Sequence, residues 1–248
     1  FEFLTDFSFV WDGEQQDKDW YRIHDLLRRL DYEEDNKITR QAHEVLEKYY
    51  REQGEVAEAI YHANRLDWQE GVYEWVDEFD KGLELSRYDE CRVLLEIRNE
   101  LVIQSDFQLG SVSQSEGDYF AKLAQHQQAQ QEYKEAIASY NQALNRAPDD
   151  ISARNNLGIV LRSLGNLQAG LSEHQEALKN YQAALAEFNY CLKIAPDNEK
   201  IRNTRDELQE FLYGTKPTEN NGLSSIIIGL LFLIIGVVVW KFIGNNIF

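Results

Sequence analysis

The chain has 248 residues, of which 43 are acidic and 25 are basic, so its formal net charge is −18. This balance argues against a nucleic-acid-binding protein, because phosphates would be repelled, and it argues equally against a polybasic contact with anionic lipid. Methionine is absent and the first residue is Phe, so we expect a fragment or processed form of a longer protein.

The first 35 residues combine short β-like runs with one helix. FSFVW and DWYRI are rich in aromatic and β-branched residues, and they flank a polar turn that contains Asp12-Gly13. A helical stripe follows at Ile23, Leu26, Leu27 and Leu30. We therefore predict a small β-hairpin and one helix over residues 1–35.

Four helical stripes follow between residues 36 and 103. Apolar residues recur at helical spacing from Ile38, again after Gly54, then around Trp75, and finally around Cys91. Gly54 interrupts the first two stripes, as expected for a residue that breaks a helix. Residues 36–103 therefore predict helices packed as hairpins.

Two segments of the first 103 residues, HDLLRRL (24–30) and AHEVLEKYYREQGEVAEAIYHA (42–63), carry a family resemblance. They resemble the junction in STAND-class ATPases, including MalT-like regulators, where a winged-helix domain meets an arm of helical repeats. The resemblance covers about residues 5–100. It implies a winged-helix-like remnant at 1–35, helical repeats at 36–103, and an ATPase core upstream.

Residues 104–116 are rich in Ser and Gln and predict a linker. Beyond it, large and small residues alternate on one helical stripe that ends at a proline, and the same ending occurs twice. The first copy contains Tyr133, Ala136, Tyr140, Ala143 and Pro148, and the second contains Tyr181, Ala184, Phe188, Cys191 and Pro196. The small residues let two helices approach, and the aromatic residues fill the space beside them.

This pattern, with Leu157, Gly158 and Leu161 in a first helix, resembles the tetratricopeptide (TPR) repeat of 34 residues. The resemblance covers roughly residues 115–213. It implies two clear repeats, a distorted repeat in which 167–178 fits either of two helices, and a polar capping helix over 198–214. The implied fold is all-α, a TPR-like α-solenoid of helical hairpins.

The TPR resemblance also implies a concave face that binds peptides or partner surfaces. On this face, which the first helices should line, we place five candidate residues: Gln125, Gln128, Asn155, Ile159 and Arg162. Some members of the family clamp a C-terminal carboxylate with Asn and basic residues. Ala121 stands where such a clamp would have Lys, so we do not predict one.

The C-terminal part contains a polar linker at 214–222 and an apolar stretch at 223–243. About 20 helical residues cross the hydrocarbon core of a bilayer, so this stretch predicts one C-terminal transmembrane helix. Its marker residues are Ile226, Gly229, Leu230, Gly236 and Trp240. Small residues on one side of it predict self-association. The expected localisation is a single-pass, C-terminally anchored membrane protein whose helical domain faces the cytoplasm and whose last helix contacts lipid.

Motifs of the common enzyme classes are missing from the chain. No GxxxxGK, HExxH, paired CxxC or GxSxG sequence occurs, and the five histidines lie far apart. Cys91 and Cys191 fall within apparent helices and predict core thiols. The chain is therefore predicted to be non-enzymatic, without a cofactor or metal site.

Three functions fit these predictions. The first is a membrane-tethered scaffold or adaptor that binds a protein or peptide partner on its TPR surface. The second is the C-terminal sensor and effector arm of a STAND-type ATPase switch, with the nucleotide-binding domain upstream. The third is an assembly factor for a membrane protein complex.

Overall fold

The structure, a computed structural model, describes residues 37–214, and every regular element in this range is a helix. In chain order the helices are α1 (Lys37–Gln53), α2 (Val56–Leu66), α3 (Trp68–Glu84), α4 (Tyr88–Ile97), α5 (Asp106–Lys122), α6 (His126–Arg146), α7 (Ile151–Gly170), α8 (His174–Ile194) and α9 (Glu199–Tyr213). The chain divides into two compact units at residues 196 and 197, so α1–α8 belong to the first unit and α9 to the second. The all-α prediction is confirmed for the described residues.

The same turn closes each of the four hairpins formed by α1–α8. One residue in each turn adopts the left-handed conformation: Gly54 at φ 76°, Ser86 at 56°, Ala124 at 58° and Ser172 at 64°. The following amide then donates to the carbonyl five residues earlier, as in the bond from Gln125 N–H to the Phe120 oxygen at 2.8 Å. This is the hydrogen bond of a Schellman motif. The hairpins are therefore built on one common turn.

The hairpins stack in sequence order. Within them α1 packs on α2, α3 on α4, α5 on α6, and α7 on α8. Adjacent hairpins meet where α2 contacts α3 and α6 contacts α7, and the first helices also touch each other, α3 on α5 and α5 on α7. The side chains of α3, α5 and α7 that lie along this row of contacts are called the first-helix face below.

Glycines in the first helices of the last two hairpins lie directly against aromatic rings of the second helices. A Cβ atom at any of these glycines would come within 2.6–2.8 Å of a ring carbon. The pairs are Gly110 with Tyr140, Gly117 with Tyr133, Gly158 with Phe188, and Gly165 with Tyr181. All four rings are buried. The missing side chains therefore allow the close approach of α5 to α6 and of α7 to α8.

These pairs give the spacing between the last two hairpins. Each glycine and ring of α5–α6 has its counterpart 48 residues further on in α7–α8, and so do Leu123, His126, Ala136 and Pro148. The predicted repeat of 34 residues is therefore too short for this part of the chain. Residues 167–178, which the sequence assigned to one helix, instead contain the turn between two helices. The helix α7 ends at Gly170 and α8 begins at His174.

The first two hairpins share a core with α5. Trp75 and Phe79 of α3 are fully buried, their rings are stacked with centroids 4.6 Å apart, and the indole N–H of Trp75 donates to the Leu94 carbonyl oxygen at 2.9 Å. Val112 and Tyr119 of α5 belong to the same cluster. The core therefore continues from the second hairpin into the third.

Asn64 at the end of α2 fastens the chain between α4 and α5. The residue is 2% exposed, and its Oδ1 accepts from the Val102 N–H at 2.7 Å. Its Nδ2 donates to the carbonyl oxygens of Val102 at 3.1 Å and of Trp68 at 3.2 Å. A single amide side chain thus satisfies backbone groups of two segments that are far apart in sequence.

Both cysteines are buried free thiols, as predicted. Cys91 belongs to the core of the first two hairpins, and Cys191 lies on α8. Burial raises the pKa of the Cys91 thiol, and it raises that of Cys191 to about 11. Both side chains therefore remain protonated core residues at neutral pH.

The predicted linker at 104–116 is wrong as a structural element, because Asp106 to Glu116 form most of α5. Serines and glutamines there suggested a loop, but Ser113 and Ser115 are buried and Gly110 packs against Tyr140 of α6. The predicted β-hairpin at 1–35 lies outside the described residues, as does the predicted linker at 214–222 apart from Gly214.

The predicted membrane localisation is contradicted. Among residues 37–214, no helix combines the length and the apolar character needed to cross a bilayer, because the long helices carry polar and charged residues. The predicted transmembrane helix at 223–243, with Ile226, Gly229, Leu230, Gly236 and Trp240, lies outside the described residues.

Candidate functional site

Polar groups concentrate on the first-helix face where α5, α6 and α7 meet. The ring of Tyr140 on α6 lies against Gly110, and this brings its hydroxyl to side chains of α5 and α7. The hydroxyl donates to Gln114 Oε1 at 3.1 Å, accepts from Asn156 Nδ2 at 3.3 Å, and lies 3.2 Å from Ser111 Oγ. One buried tyrosine therefore links three helices through their polar side chains.

A second tyrosine, about two helical turns before Tyr140 on α6, also hydrogen-bonds a side chain of the preceding helix. Tyr133 donates to Asp118 Oδ1 at 2.6 Å, and in the next hairpin Tyr181 donates to Asn166 Oδ1 at 2.9 Å. Asp118 and Asn166 occupy equivalent positions of α5 and α7. The hairpins α5–α6 and α7–α8 thus share one hydrogen-bond geometry, but only α5 has a carboxylate at this position.

Beside Asp118, α3 and α5 enclose a cleft with a volume of about 500 Å³. This volume lies in the range of ligand-binding pockets. The cleft is lined by Asp80, Leu83 and Glu84 from α3, Asp118, Ala121 and Lys122 from α5, and Tyr133 from α6. Three carboxylates therefore face a space that also has an apolar floor.

Two carboxylates of this cleft, those of Asp80 and Asp118, are poorly solvated. Asp80 is exposed as a residue, but its carboxylate lies against the cleft, and desolvation raises its pKa to about 6. The Ser115 hydroxyl, which donates to Asp80 Oδ1 at 2.7 Å, opposes this rise, and the negative charges of Asp118 and Glu84 add to it. Desolvation also raises the pKa of Asp118, against the hydrogen bond from Tyr133.

Three of the five residues placed on the concave face by sequence lie together on α7. Asn155, Ile159 and Arg162 are half-buried, and the charge of Arg162 acts on Asp118 of the preceding hairpin. Ile159 and Arg162 are the counterparts of Ser111 and Gln114, which belong to the first-helix face. Their role in binding remains a prediction.

Gln125 and Gln128 lie elsewhere. Gln125 is in the turn between α5 and α6, Gln128 is in the first turn of α6, and both are exposed. They are not on a first helix, because that helix spans Asp106–Lys122 and ends before them. Sequence reasoning missed Asp80, Glu84 and Asp118. The 48-residue offset between hairpins would have aligned Asp118 with Asn166 and so assigned it to a first helix.

Glu116, also on α5, is a buried carboxyl outside the cleft. It is 6% exposed and accepts from Arg98 Nε at 3.2 Å. Desolvation raises its pKa to about 7, with further contributions from the charges of Glu132 and Glu135, while Arg98 lowers it. The folded protein therefore favours the protonated form of this carboxyl more strongly than the unfolded chain does.

This carboxyl predicts a specific pH dependence of stability. A folded-state pKa raised from 4.5 to about 7 favours folding fully below pH 4.5, and this advantage is lost as the pH rises through 7. The loss is on the order of 3 kcal/mol, at about 1.4 kcal/mol per pKa unit.

We expect Glu116→Gln to remove most of this pH dependence and to be more stable than the wild type at pH 8, measured by urea unfolding at pH 5 and pH 8. Glu90→Gln, at an exposed site on α4, is the control and should leave the pH profile unchanged. Parallel profiles for Glu116→Gln and wild type would contradict the assignment.

Residues 129–165 match the family model described as TPR repeat. The match begins in α6 and ends in α7, so it covers the second helix of one hairpin and most of the first helix of the next. No curated protein and no solved structure matches the chain.

The match and the all-helical structure support a TPR protein, and proteins built from this repeat are typically interaction scaffolds rather than enzymes. No comparison supports a STAND-class ATPase, so that resemblance remains a prediction. Among the described residues, no group of three or more His, Cys, Asp or Glu side chains could hold a metal ion.

Proposed function

We propose that this protein is an interaction scaffold that binds a segment of a partner protein on its first-helix face. In TPR arrays this is the face that becomes concave and accepts peptides. The observation that carries the proposal is the row of first helices α3, α5 and α7, which bears a cleft of about 500 Å³ and side chains able to hydrogen-bond a peptide backbone. Repeat arrays bind through such preformed surfaces.

The polar residues of the face are held in place before any partner arrives. The Tyr140 and Tyr133 hydroxyls fix Gln114, Asn156 and Asp118 in defined positions. A preorganised surface loses little side-chain entropy on binding, which favours affinity. The scaffold is therefore expected to bind an extended segment without rearranging its helices.

The test is a selection from a random peptide display library against the full chain, followed by affinity measurements with two matched variants. Ile159→Arg places a charge on the first-helix face, and Leu178→Arg places the same charge on the exposed side of α8 in the same hairpin. We expect selected peptides to lose at least tenfold in affinity for Ile159→Arg and less than twofold for Leu178→Arg.

Circular dichroism and thermal melting must first show that both variants keep the fold. Amide hydrogen exchange gives a second measurement, in which bound peptide should protect α5 and α7 more than α6 and α8. Peptides that are insensitive to Ile159→Arg, or that protect the second helices instead, would disprove the proposal.

A further inference from the structure

The charges in the cleft between α3 and α5 specify the partner more closely. This inference rests on the proposed function, because it concerns the segment that the first-helix face binds. We propose that the cleft of Asp80, Glu84 and Asp118 accepts a lysine or arginine side chain of the partner segment.

The three carboxylates of the cleft lack the ion pairs that several other carboxylates of the array have. Four of those elsewhere each face an arginine: Glu74 faces Arg51, Asp106 faces Arg146, Glu116 faces Arg98, and Glu187 faces Arg154. In the part of the chain that the structure describes, Asp80, Glu84 and Asp118 form no ion pair. Their hydrogen-bond donors are the neutral hydroxyls of Ser115 and Tyr133.

The cleft has the shape and the lining that a long cationic side chain requires. Three carboxylates on two helices surround a cleft that is open to the first-helix face and large enough for a long side chain. Leu83 and Ala121 provide apolar surface for the methylene groups of lysine or arginine. Lys122 also lines the cleft, and Arg162 acts on Asp118 from the next hairpin, so the cationic groups that face the site are outnumbered by its carboxylates.

Two of the three carboxylates are poorly solvated, which favours binding of a cation. Desolvation raises the pKa of Asp80 and of Asp118, which means that water solvates their charges poorly. A bound guanidinium or ammonium group would place a positive charge beside these carboxylates and donate charge-assisted hydrogen bonds to them. A carboxylate or phosphate of a partner would instead be repelled.

The inference predicts both the composition of the selected peptides and their response to mutation. Arg or Lys should be enriched at one position of the peptides selected on the full chain. Asp80→Asn combined with Glu84→Gln should weaken these peptides at least tenfold. Asp89→Asn combined with Glu90→Gln, on exposed residues of α4, removes the same charge and should change affinity less than twofold. Exchange of the enriched arginine for citrulline, which has the same shape without the charge, should reproduce the loss.

The outcomes separate this inference from the proposed function. Equal weakening by both double variants would show attraction to the overall negative charge and would overturn the cationic site. Peptides that lack Arg and Lys but lose affinity for Ile159→Arg would also overturn it, while leaving the proposed function intact. Peptides that do not bind the first-helix face at all would disprove both.

Discussion

Replacing Gly158 by alanine is expected to lower the free energy of unfolding by about 2 kcal/mol, the cost of forcing one extra methyl group into a packed core. The new Cβ would lie 2.6 Å from Cε1 of Phe188, and Phe188 is fully buried and cannot move without displacing other core residues. Thermal unfolding would show the change as a fall in Tm of roughly 4–8 °C.

The same helix contains its own control. Gly170 has no atom within 4 Å of an added Cβ, so Gly170→Ala should stabilise by about 0.5 kcal/mol through its better helix propensity. Phe188→Leu combined with Gly158→Ala should cost less than the sum of the two single changes, because the smaller side chain makes room. Equal effects of alanine at both glycines would contradict the close packing of α7 on α8.

Replacing Asn64 by alanine is expected to cost about 3 kcal/mol, because it removes three hydrogen bonds and leaves backbone groups of Trp68 and Val102 without their partner. Asn64→Asp should be nearly as damaging. It keeps the acceptor for the Val102 N–H but turns a carboxylate oxygen toward two carbonyl oxygens.

Asn141→Ala is the control for Asn64. Asn141 is exposed and donates to the Ile137 carbonyl within its own helix, so its loss should cost less than about 0.5 kcal/mol. Urea unfolding measures all three variants. A cost below about 1 kcal/mol for Asn64→Ala would mean that water replaces the amide and that Asn64 does not fasten the segment before α5.

Sequence patterns located most of the helices but failed at α5. The stripes around Trp75 and Cys91, and those containing Tyr133 and Tyr181, correspond to helices because the apolar residues repeat at helical spacing. The helix α5 lacks that signal, since two of its core contacts are made by glycines, at 110 and 117, whose partners are distant tyrosine rings. A glycine contributes to packing there by its small size, and hydrophobicity patterns do not detect this.

The candidate site was harder to predict than the fold. Asp80 and Asp118 are 38 residues apart and belong to different hairpins, so only the packing of α3 on α5 brings them to one cleft. Ile159 and Arg162 could be assigned to a first helix because the TPR resemblance identified their helix as one. Gln125 and Gln128 were assigned to a first helix wrongly. The sequence predicted that this helix begins after residue 116, whereas α5 spans Asp106–Lys122 and ends before both residues.

The two buried cysteines are natural chemical probes of local opening. Cys91 lies in the shared core of the first hairpins and Cys191 in the last hairpin, and their raised pKa values keep both thiols unreactive while they are packed. A disulfide-exchange reagent can therefore modify each thiol only when its own part of the array opens. The ratio of the two modification rates gives the difference in local opening free energy along the array, without any introduced label.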